Sequence, residues 1–217
     1  MTTAIIFGFS GQDGAILSSL LLKNNINIVG VTRNKKQKFI NHLQLKTLKS
    51  IKIIEIKYYN YDEIYNLIKE IRPKFIYNFS GESSVSRSYL NYVETYSSII
   101  DVTEYILNSI SIIDKNIRFF NSSSSECYGN FGEVITEKSP FFPISPYAIA
   151  KTRAFEITKY FRENKNIYAC SGIMFNHESP FRSKNFVIKK IFNSILKIKK
   201  NPNYKLKLGN INIKRDW

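Results

Sequence analysis

Apolar residues form short continuous runs that alternate with stretches of helical spacing, and this alternation predicts strands and helices in turn. The first run, Ala4 to Phe7, is followed by Ile16, Leu17, Leu20 and Leu21, which recur at the spacing of a buried helix face. Short runs bounded by turn residues are typical of parallel strands that are covered on both sides. The pattern therefore predicts an α/β protein with a Rossmann-type doubly wound parallel sheet.

The same alternation continues along the chain and sets the expected element boundaries. We expect further strands at Ile26–Val31, Ser50–Lys57, Pro73–Phe79, Ile117–Ser122 and Ile167–Phe175. We expect helices at Asp62–Ile71, Tyr92–Ser111 and from Tyr147 to about Asn164. Because ligands bind at the carboxyl ends of the strands in such sheets, residues that directly follow a strand are the candidates for function.

A glycine-rich turn lies between the first strand and the first helix. Gly8, Gly11 and Gly14 form a G-x-x-G-x-x-G variant of the dinucleotide fingerprint. Glycine is needed in such a turn because the backbone bends tightly, approaches a pyrophosphate and packs close to the helix. The N-terminus of that helix also presents backbone N–H groups and positive potential to phosphates. In this context the motif predicts nucleotide binding.

The residues after the second strand are cationic. An acidic residue at this position binds the hydroxyl pair of an adenosine ribose, whereas this chain continues TRNKK from Thr32 to Lys36. A guanidinium group suits a 2′-phosphate, so the sequence favours NADP over NAD as the cofactor, with Arg33 as the principal contact. The alternative is that the lysines belong to a solvated loop of a lysine-rich protein.

A hydroxyl, a carboxylate, a phenol and an amine lie at and beyond the end of the fifth expected strand. The segment SSSSECYG contains Glu126, and the segment SPYAIAK contains Tyr147 and Lys151. Tyr147 and Lys151 are spaced so that a helix projects both from one face. A free phenol titrates near roughly 10, and a neighbouring ammonium group favours the phenolate that a base at neutral pH requires. These residues predict a proton-moving oxidoreductase, although Tyr-x-x-x-Lys also occurs by chance on amphipathic helices.

The chain carries a formal charge of +15, from 32 Lys and Arg against 17 Asp and Glu. Such a charge favours acidic partners, and the basic region from Lys184 to Arg215 is a candidate site for a negatively charged nucleotide sugar. Helix-turn-helix, zinc-finger and aromatic RNA-binding signatures do not accompany the charge, so we expect no specific nucleic-acid partner.

Length and cysteine content fit an intracellular globular protein. A chain of 217 residues buries a sizeable core and normally forms one domain, here with the start of another. Cys127 and Cys170 lack metal-ligand spacing, which disfavours a disulfide scaffold and a metal site and favours a reducing compartment. The sequence contains neither a signal peptide nor the roughly 18 apolar residues of a membrane span, so we expect a cytoplasmic protein without a membrane partner.

Several segments resemble the extended short-chain dehydrogenase/reductases, and within them the GDP-mannose 4,6-dehydratase group. The matching segments are GFSGQDG, IYNFSGESSV, SSSSECYG, SPYAIAK, GIMFNHESPFRSKNFVIKKI and LGNINIKRDW, in the order of the family. FNHESP, followed by an arginine and by NFV, is the most specific of these. The resemblance implies an NADP-binding Rossmann domain over residues 1–170 that carries the catalytic residues. Residues 171–217 would be the start of a substrate-binding region, and because the family continues beyond Trp217, the chain is expected to be truncated at its C-terminus.

The resemblance also implies a hydro-lyase reaction, the conversion of GDP-mannose to GDP-4-keto-6-deoxymannose. Tyr147 would remove the O4 proton while hydride leaves C4 for NADP, and Lys151 would hold the nicotinamide ribose and depress the tyrosine pKa. Ser124 would hydrogen-bond O4. Glu126 would remove the C5 proton while the C6 hydroxyl departs as water, after which the hydride returns to C6. Considered without the resemblance, Glu126 could equally be a carboxylate that caps backbone N–H groups.

By the same resemblance, further residues would bind the cofactor or the substrate. The cofactor set comprises Gly8, Ser10, Gly11, Gln12, Asp13, Gly14, Arg33, Asn60, Tyr61, Phe79, Gly81, Ser83, Tyr147, Lys151, His177 and Arg182. The substrate set comprises Ser83, Ser124 and Asn176. From the sequence itself, a lone histidine after a strand, such as His177, is more often a structural hydrogen-bonding group.

The chain departs from the family pattern at several positions. Asn60 replaces an aspartate that hydrogen-bonds the adenine, and Glu82 and Ser84 replace a glutamine-type residue and a histidine. A carboxylate at position 82 would repel the cofactor phosphates unless it faces away or pairs with a basic group. The segment after Arg33 lacks the serine-rich arginine loop of tetrameric members. The resemblance therefore predicts a homodimer, through a four-helix interface built from the helices at Tyr92–Ser111 and Tyr147–Asn164, rather than a tetramer.

Two other functions stay open from the sequence. One is another epimerase, dehydratase or reductase that acts on nucleotide sugars within the same superfamily, which would be favoured if Glu126 were dispensable. The other is a non-catalytic NADP-binding fragment, which would bind cofactor without releasing water from any sugar nucleotide.

Overall fold

The structure of the chain is a computed structural model that describes residues 2–57, 59–130, 132 and 134–212. The chain divides into two compact units, and the division falls between Met174 and Phe175. The last residues of the LGNINIKRDW segment lie outside the described residues, as does Arg215 at the end of the basic region.

Among the described residues, six strands form one sheet in the order β3-β2-β1-β4-β5-β6. The strands are β1 (Thr3–Phe7), β2 (Asn27–Thr32), β3 (Ile51–Glu55), β4 (Phe75–Asn78), β5 (Arg118–Ser124) and β6 (Ala169–Met174). All neighbouring strands are parallel, so their carboxyl ends lie along one edge of the sheet. The order reverses between β1 and β4, and doubly wound sheets bind dinucleotides at this switch point. The predicted fold class is confirmed.

The helices and shorter helical turns complete the crossovers between the strands. The helices are α1 (Gln12–Lys23), α2 (Ile40–Gln44), α3 (Tyr61–Ile71), α4 (Val85–Ser88), α5 (Tyr92–Tyr96), α6 (Val102–Ile113), α7 (Pro146–Asn164) and α8 (Val187–Lys200). Leu48–Ser50 and Ser125–Tyr128 form 3₁₀ turns, and a π turn at Ser97–Asp101 joins α5 to α6. Within the part of the chain that the structure describes, no helix combines the length and apolar character needed to cross a membrane.

The core consists of apolar layers on the two faces of the sheet. Ile5 and Phe7 of β1 belong to a buried cluster that includes residues of α3, α6 and α7. Ala4 and Ile6 belong to a second cluster, which includes Leu21 of α1. Because alternate residues of a strand face opposite sides, a strand covered on both faces must be apolar at successive positions. This explains the continuous apolar run from which the sheet was predicted.

Most predicted strand boundaries differ from the structure by one or two residues, and two of the differences between predicted and observed elements have a clear physical reason. β5 continues to Ser124 instead of ending at Ser122, because Ser124 pairs with Met174 of β6. The helix expected at Tyr92–Ser111 is instead α5, the π turn and α6, which ends at Ile113. A π turn adds a residue to one helical turn without removing the apolar pattern, so periodicity does not reveal it.

The second unit contains α8, a helix with many lysines. Lys197, Lys199 and Lys200 lie in its last turn, where cations interact favourably with the helix dipole. This part of the basic region therefore has a structural role of its own within the second unit.

Candidate active site

The glycine turn brings β1, the start of α1 and the segment after β4 into close contact. Gly8 has a φ of +72°, and a Cβ there would lie 2.5 Å from the carbonyl oxygen of Phe79. A Cβ at Gly14 would lie 2.5 Å from the Cα of Phe9. At Gly11, by contrast, a Cβ would meet only the carbonyl oxygen of Gly8 among the described atoms beyond its chain neighbours and its own helix, at an ordinary 3.4 Å. The turn is thus tight on its inner side, while Gly11 leaves room for a ligand.

The N-terminus of α1 begins directly after this room. Gly11 is the N-cap residue in an extended conformation, and its carbonyl accepts the hydrogen bond of Ala15 N–H at 3.1 Å. Gln12 and Asp13 follow in the first turn of this 12-residue helix. Backbone N–H groups and positive potential at a helix N-terminus favour phosphate, which fits the pyrophosphate of a dinucleotide.

Helix α2 is hydrogen-bonded to the glycine turn. One of its contacts is made by His42, a residue that the sequence analysis did not identify. The buried His42 donates from Nε2 to the carbonyl oxygen of Phe9 at 2.8 Å, and its Nδ1 lies 2.8 Å from the Thr47 hydroxyl. Asn41 Nδ2 donates to the carbonyl oxygen of Ser10 at 3.4 Å. Burial lowers the pKa of His42, although the Phe9 carbonyl acts in the opposite direction. The neutral ring matches this pair of partners because it donates at one nitrogen and accepts at the other.

Arg33 follows β2 directly, as expected, and forms one side of a cleft of about 580 Å³. Its Nη1 lies 2.7 Å from Oε1 of Glu94, which projects from α5 on the other side. Tyr59 also lines the cleft, and burial raises its pKa to about 12 while the Arg33 charge acts in the opposite direction. The cation predicted to contact the 2′-phosphate of the adenosine ribose therefore already has a carboxylate partner, and no sequence motif indicated this pair.

Asn60 and Tyr61 lie at the start of α3. The Asn60 side chain accepts from the backbone N–H of Glu63 at 2.9 Å and donates to the Glu63 carboxylate at 2.7 Å. Tyr61 packs its ring 5.8 Å from that of Tyr65 and 6.0 Å from that of Tyr105. Asn60 therefore acts as a helix cap, a structural role that is independent of the predicted contact with adenine.

The segment after β4 contains Phe79, Gly81 and Ser83. The negative charge of Glu82 within this segment has a cationic partner nearby. Gly81 has a φ of +108°, and a Cβ there would lie 2.5 Å from Ile99 of the π turn. The Glu82 carboxylate accepts from the backbone N–H of Ser83 at 2.8 Å, and its other oxygen lies 3.3 Å from Nε of Arg87. The basic partner that Glu82 was expected to need is therefore Arg87.

Ser124 and Glu126 are joined at the carboxyl end of β5. Ser124 is the last residue of the strand, and its hydroxyl accepts from the backbone N–H of Glu126 at 3.2 Å. Glu126 lies in the 3₁₀ turn that follows and is half-buried. A short strand-to-turn connection thus fixes a hydroxyl and a carboxylate two positions apart at the edge where ligands bind.

Helix α7 positions Tyr147 and Lys151 opposite this strand end. Its N-cap is Ser145, whose hydroxyl accepts from Ala148 N–H at 3.1 Å, and Pro146 occupies the first helical position. The backbone N–H of Tyr147 donates to the hydroxyl of Ser88 in α4 at 3.2 Å. The first turn of the helix is therefore held at both its cap and its side.

Lys151 crosses from α7 to β5. Its Nζ donates to the carbonyl oxygen of Ser122 at 2.8 Å and lies 5.9 Å from the centre of the Tyr147 ring. Burial lowers the pKa of Lys151 to about 8, with a smaller opposing effect from Cys127. The amine is thus still largely protonated at neutral pH, so a cation lies beside the phenol, as the sequence predicted.

Buried amides link the ends of β4 and β5 beneath these groups. Asn78 Nδ2 donates to Asn121 Oδ1 at 3.1 Å, and the Ser80 hydroxyl donates to Asn78 Oδ1 at 2.5 Å. Both asparagines are almost fully buried, so these hydrogen bonds hold the strand ends in register. Among the described side chains, groups of His, Cys, Asp and Glu that could hold a metal ion are absent.

The remaining predicted residues, Asn176, His177 and Arg182, lie in the second unit. His177 donates from Nδ1 to the carbonyl oxygen of Phe175 at 2.7 Å. Arg182 lies 3.3 Å from the Glu178 carboxylate and stacks its guanidinium 3.6 Å from the centre of the Phe186 ring. These contacts give both side chains structural roles within the second unit, and their contact with a cofactor stays a prediction.

The first unit therefore assembles two sets of predicted residues along the carboxyl edge of its sheet. One set surrounds the ends of β1 and β2 and fits a dinucleotide, because it combines the glycine turn, a helix N-terminus and a cation. The other set lies at the end of β5 and on α7, and combines a hydroxyl, a carboxylate, a phenol and a buried amine. Together these groups can bind a nicotinamide dinucleotide and move protons on a substrate that lies beside it.

Comparison with known proteins identifies relatives of this chain. Residues 5–217 match the family model for GDP-mannose 4,6 dehydratase. The GDP-mannose 4,6 dehydratase of Drosophila melanogaster is 38% identical across 99% of this chain and 57% of its own length. The GDP-mannose 4,6-dehydratase of Yersinia enterocolitica is 36% identical across 100% of this chain and 61% of its own length. The GDP-mannose 4,6 dehydratase of Homo sapiens is 34% identical across 99% of this chain and 60% of its own length. The chain thus spans about 60% of the length of the curated relatives it matches.

Solved structures share the fold at lower identity. The dTDP-glucose 4,6-dehydratase of Bacillus anthracis, in complex with NAD, superposes with a TM-score of 0.83 at 20% identity, across 100% of this chain and 67% of its own. DesIV, a dTDP-glucose 4,6-dehydratase from Streptomyces venezuelae with NAD and TYD bound, gives a TM-score of 0.79 at 17% identity, across 90% and 62%. At these identities the likeness establishes the fold.

Proposed function

The chain belongs to the GDP-mannose 4,6-dehydratase family, and from this premise we propose that it takes part in the conversion of GDP-mannose to GDP-4-keto-6-deoxymannose. The first unit would bind the cofactor and carry the catalytic residues, and the second unit would contribute to the substrate-binding region. The relatives compared above bear the name GDP-mannose 4,6-dehydratase. The observation that carries the proposal is the placement of Glu126 beside Ser124 at the end of β5, in the same unit as Tyr147 and Lys151.

The proposed cofactor is NADP, held by the glycine turn and the residues after β2 and β4. The open side of Gly11 and the N-terminus of α1 fit the pyrophosphate, and Arg33 fits a 2′-phosphate. Ser10, Asp13, Tyr61 and Ser83 of the first unit would complete the contacts. When bound, the nicotinamide would accept a hydride from C4 of the sugar and return it to C6, so the overall reaction involves no net redox change.

Tyr147 is proposed as the base for the first proton. Its phenolate would take the proton of the C4 hydroxyl, and Ser124 would donate a hydrogen bond to the same oxygen. The Lys151 cation lies close enough to the phenol ring to favour the phenolate electrostatically. Because Lys151 is already hydrogen-bonded to β5, the cation is in place before substrate arrives.

Glu126 is proposed as the base for the second proton. A C4 ketone acidifies the C5 proton, so a carboxylate at this position can remove it and then protonate the departing C6 hydroxyl, which leaves as water. The proton held by Tyr147 would finally be delivered to C5. Both residues return to their starting protonation states, which balances the protons of the cycle.

The experiment that tests this proposal separates the two proton transfers. The chain is incubated with NADP⁺ and GDP-mannose, and the 4-keto product is followed by NMR. Glu126→Gln should lower product formation by roughly 10²–10⁴-fold while reduced cofactor accumulates, because C4 oxidation does not need the carboxylate. Tyr147→Phe should abolish both signals. Glu163→Gln, which removes an exposed carboxylate at the end of α7, serves as the matched control.

The outcomes distinguish the proposal from its alternatives. Product formation that survives Glu126→Gln would exclude this carboxylate as the base for the C5 proton. Oxidation or epimerisation at C4 without water loss in the unaltered chain would favour another nucleotide-sugar enzyme of the superfamily. Cofactor binding without oxidation or water loss in the unaltered chain would favour a non-catalytic role. A substrate labelled with deuterium at C4 should yield a product labelled at C6, and loss of the label to solvent would contradict the hydride return.

A further inference from the structure

The cleft between β2 and α5 contains an ion pair whose partners come from opposite sides. Arg33 follows β2, Glu94 lies in α5, and their side chains are 53% and 62% exposed. The cleft is also lined by Lys57, Tyr59 and Ser97. Because the pair spans the cleft and both partners face solvent, a ligand that enters must either displace the carboxylate or bind beside it.

We propose that Glu94 is a specificity-determining residue, and that its carboxylate reduces the preference of this chain for NADP over NAD. The inference rests on the proposed function only in that a nicotinamide dinucleotide binds at the glycine turn. Arg33 by itself would predict a clear preference for NADP over NAD, whereas Arg33 paired with Glu94 should show a smaller one.

The position of the carboxylate follows from the sheet. A dinucleotide whose pyrophosphate lies at the N-terminus of α1 places its adenosine ribose near the end of β2, which is where Arg33 lies. NAD-binding folds usually have an acidic residue at this strand end, where it accepts hydrogen bonds from the ribose hydroxyls. Here the strand end is cationic, and a carboxylate reaches the same place from α5. The cleft therefore contains both the cation that suits a 2′-phosphate and the anion that suits a free ribose.

The two cofactors interact with this pair in opposite ways. A 2′-phosphate must compete with Glu94 for the Arg33 guanidinium and would then lie close to a like charge. A ribose with a free 2′-hydroxyl leaves the ion pair intact and can donate to the carboxylate. Each effect is small because the groups are exposed, so removing the Glu94 charge should increase NADP⁺ affinity by about three- to tenfold.

The test is calorimetric titration of the full chain with NADP⁺ and with NAD⁺ at one fixed, low ionic strength. Glu94→Gln should bind NADP⁺ about three- to tenfold more tightly and NAD⁺ equally or more weakly. Arg33→Ala should lose NADP⁺ affinity, and in the Arg33→Ala background Glu94→Gln should no longer improve it. Glu104→Gln on α6 is the matched control, because it removes an exposed carboxylate that does not line the cleft. Thermal melting without cofactor verifies that all variants fold.

Three results would overturn the inference. The first is an NADP⁺ affinity that is unchanged by Glu94→Gln in a folded protein, and the second is an equal gain for both cofactors. The third is the absence of binding for either dinucleotide, which would also remove the cofactor from the proposed function. The proposed reaction and this inference can fail separately. If Glu94→Gln changes the two cofactor affinities as expected but the chain forms no 4-keto product, the proposed reaction is wrong and this inference is supported.

Discussion

At the scale of single residues, Lys151 combines a functional position with a cost in stability. Its amine is buried, and burial lowers its pKa from 10.5 to about 8. In the unfolded chain the same amine keeps its usual pKa, so folding at neutral pH must bring a charge into a poorly solvated place. The difference corresponds to a free energy on the order of 3 kcal/mol. A residue retained at this cost is a candidate for function.

Replacement of Lys151 by methionine should therefore stabilise the protein at neutral pH. We expect Lys151→Met to raise the free energy of unfolding by about 1–3 kcal/mol at pH 7, with loss of the Ser122 hydrogen bond offsetting part of the gain. Between the folded pKa of about 8 and the unfolded value of 10.5, the unfolded chain binds more protons, so the wild-type protein gains stability as pH rises. The advantage of the variant should shrink over this window. Denaturant unfolding of both proteins at several pH values measures this difference in the free energy of unfolding.

Lys159 provides the control for that measurement, since it is an exposed lysine on the same helix. Lys159→Met should change stability little and without this pH dependence. A Lys151→Met variant that is destabilised at pH 7 would contradict the proposed cost of burial, and would mean that the hydrogen bonds of the amine outweigh its desolvation.

At the scale of elements, α2 links proton uptake to the glycine turn. His42 is buried and hydrogen-bonded to the carbonyl of Phe9, and burial lowers its pKa below 6.5. Because the unfolded chain binds the proton more readily, stability is fully present above pH 6.5 and is lost as pH falls through the folded pKa. The turn that this helix supports should loosen in the same range.

Acidification should therefore weaken cofactor binding through His42. We expect the affinity for NADP⁺ to fall as pH is lowered below 6.5, and His42→Gln to flatten this dependence. Glutamine can still donate to the Phe9 carbonyl, but it does not titrate. Calorimetry with NADP⁺ across this pH range, on the unaltered chain and on His42→Gln, provides the measurement. A pH dependence that survives His42→Gln unchanged would contradict a role for α2.

The elements were predictable to different degrees, for physical reasons. β1, α1 and α7 were predicted because a short apolar run, a glycine turn between a strand and a helix, and the spacing of Tyr147 and Lys151 are local signals. The start of α7 at Ser145 and Pro146 was recognised only in the structure. The last residues of β5 were missed because serines have no strand pattern of their own and are held by pairing with β6. α2 was missed because five residues are too few to show a helical period.

The same distinction applies to the candidate site. Tyr147 and Lys151 could be paired from the sequence because they share one helix turn. The contact between Arg33 and Glu94 joins residues that are 61 positions apart, so it depends on where the fold places α5 relative to the end of β2. Asn60 was interpreted as an adenine contact, whereas its hydrogen bonds to Glu63 show that it also caps α3. Sequence motifs thus identified candidate site residues. They did not identify the hydrogen-bond and ion-pair partners of those residues, because these depend on the tertiary fold.

At the scale of the whole molecule, α6 and α7 pack against each other and expose apolar side chains. Ile112 on α6 is 66% exposed and Tyr160 on α7 is 50% exposed. These helices are the ones that the family resemblance assigns to a four-helix interface. We propose that the chain forms a homodimer through this surface.

Light scattering at micromolar concentration should give the mass of a dimer. The combined change Ile112→Asp and Tyr160→Asp should shift the protein toward monomer, because charged groups are poorly tolerated at the centre of an apolar interface. Leu20→Asp on α1 places the same charge at an exposed apolar residue elsewhere and should leave the mass unchanged. A monomer in the unaltered protein would contradict the proposed dimer.

The reversal of strand order between β1 and β4 has a consequence for the folding pathway. Ile5 lies beside both Val29 of β2 and Ile76 of β4, and the second partner is far more distant along the chain. Of the pairings between described strands, β1 with β4 closes the longest loop, and long loops are slow to close because chain entropy is lost before contacts are gained. The two halves of the sheet can therefore nucleate separately. Since the cofactor crevice exists only where they join, the chain should become able to bind its ligand in the last step of folding.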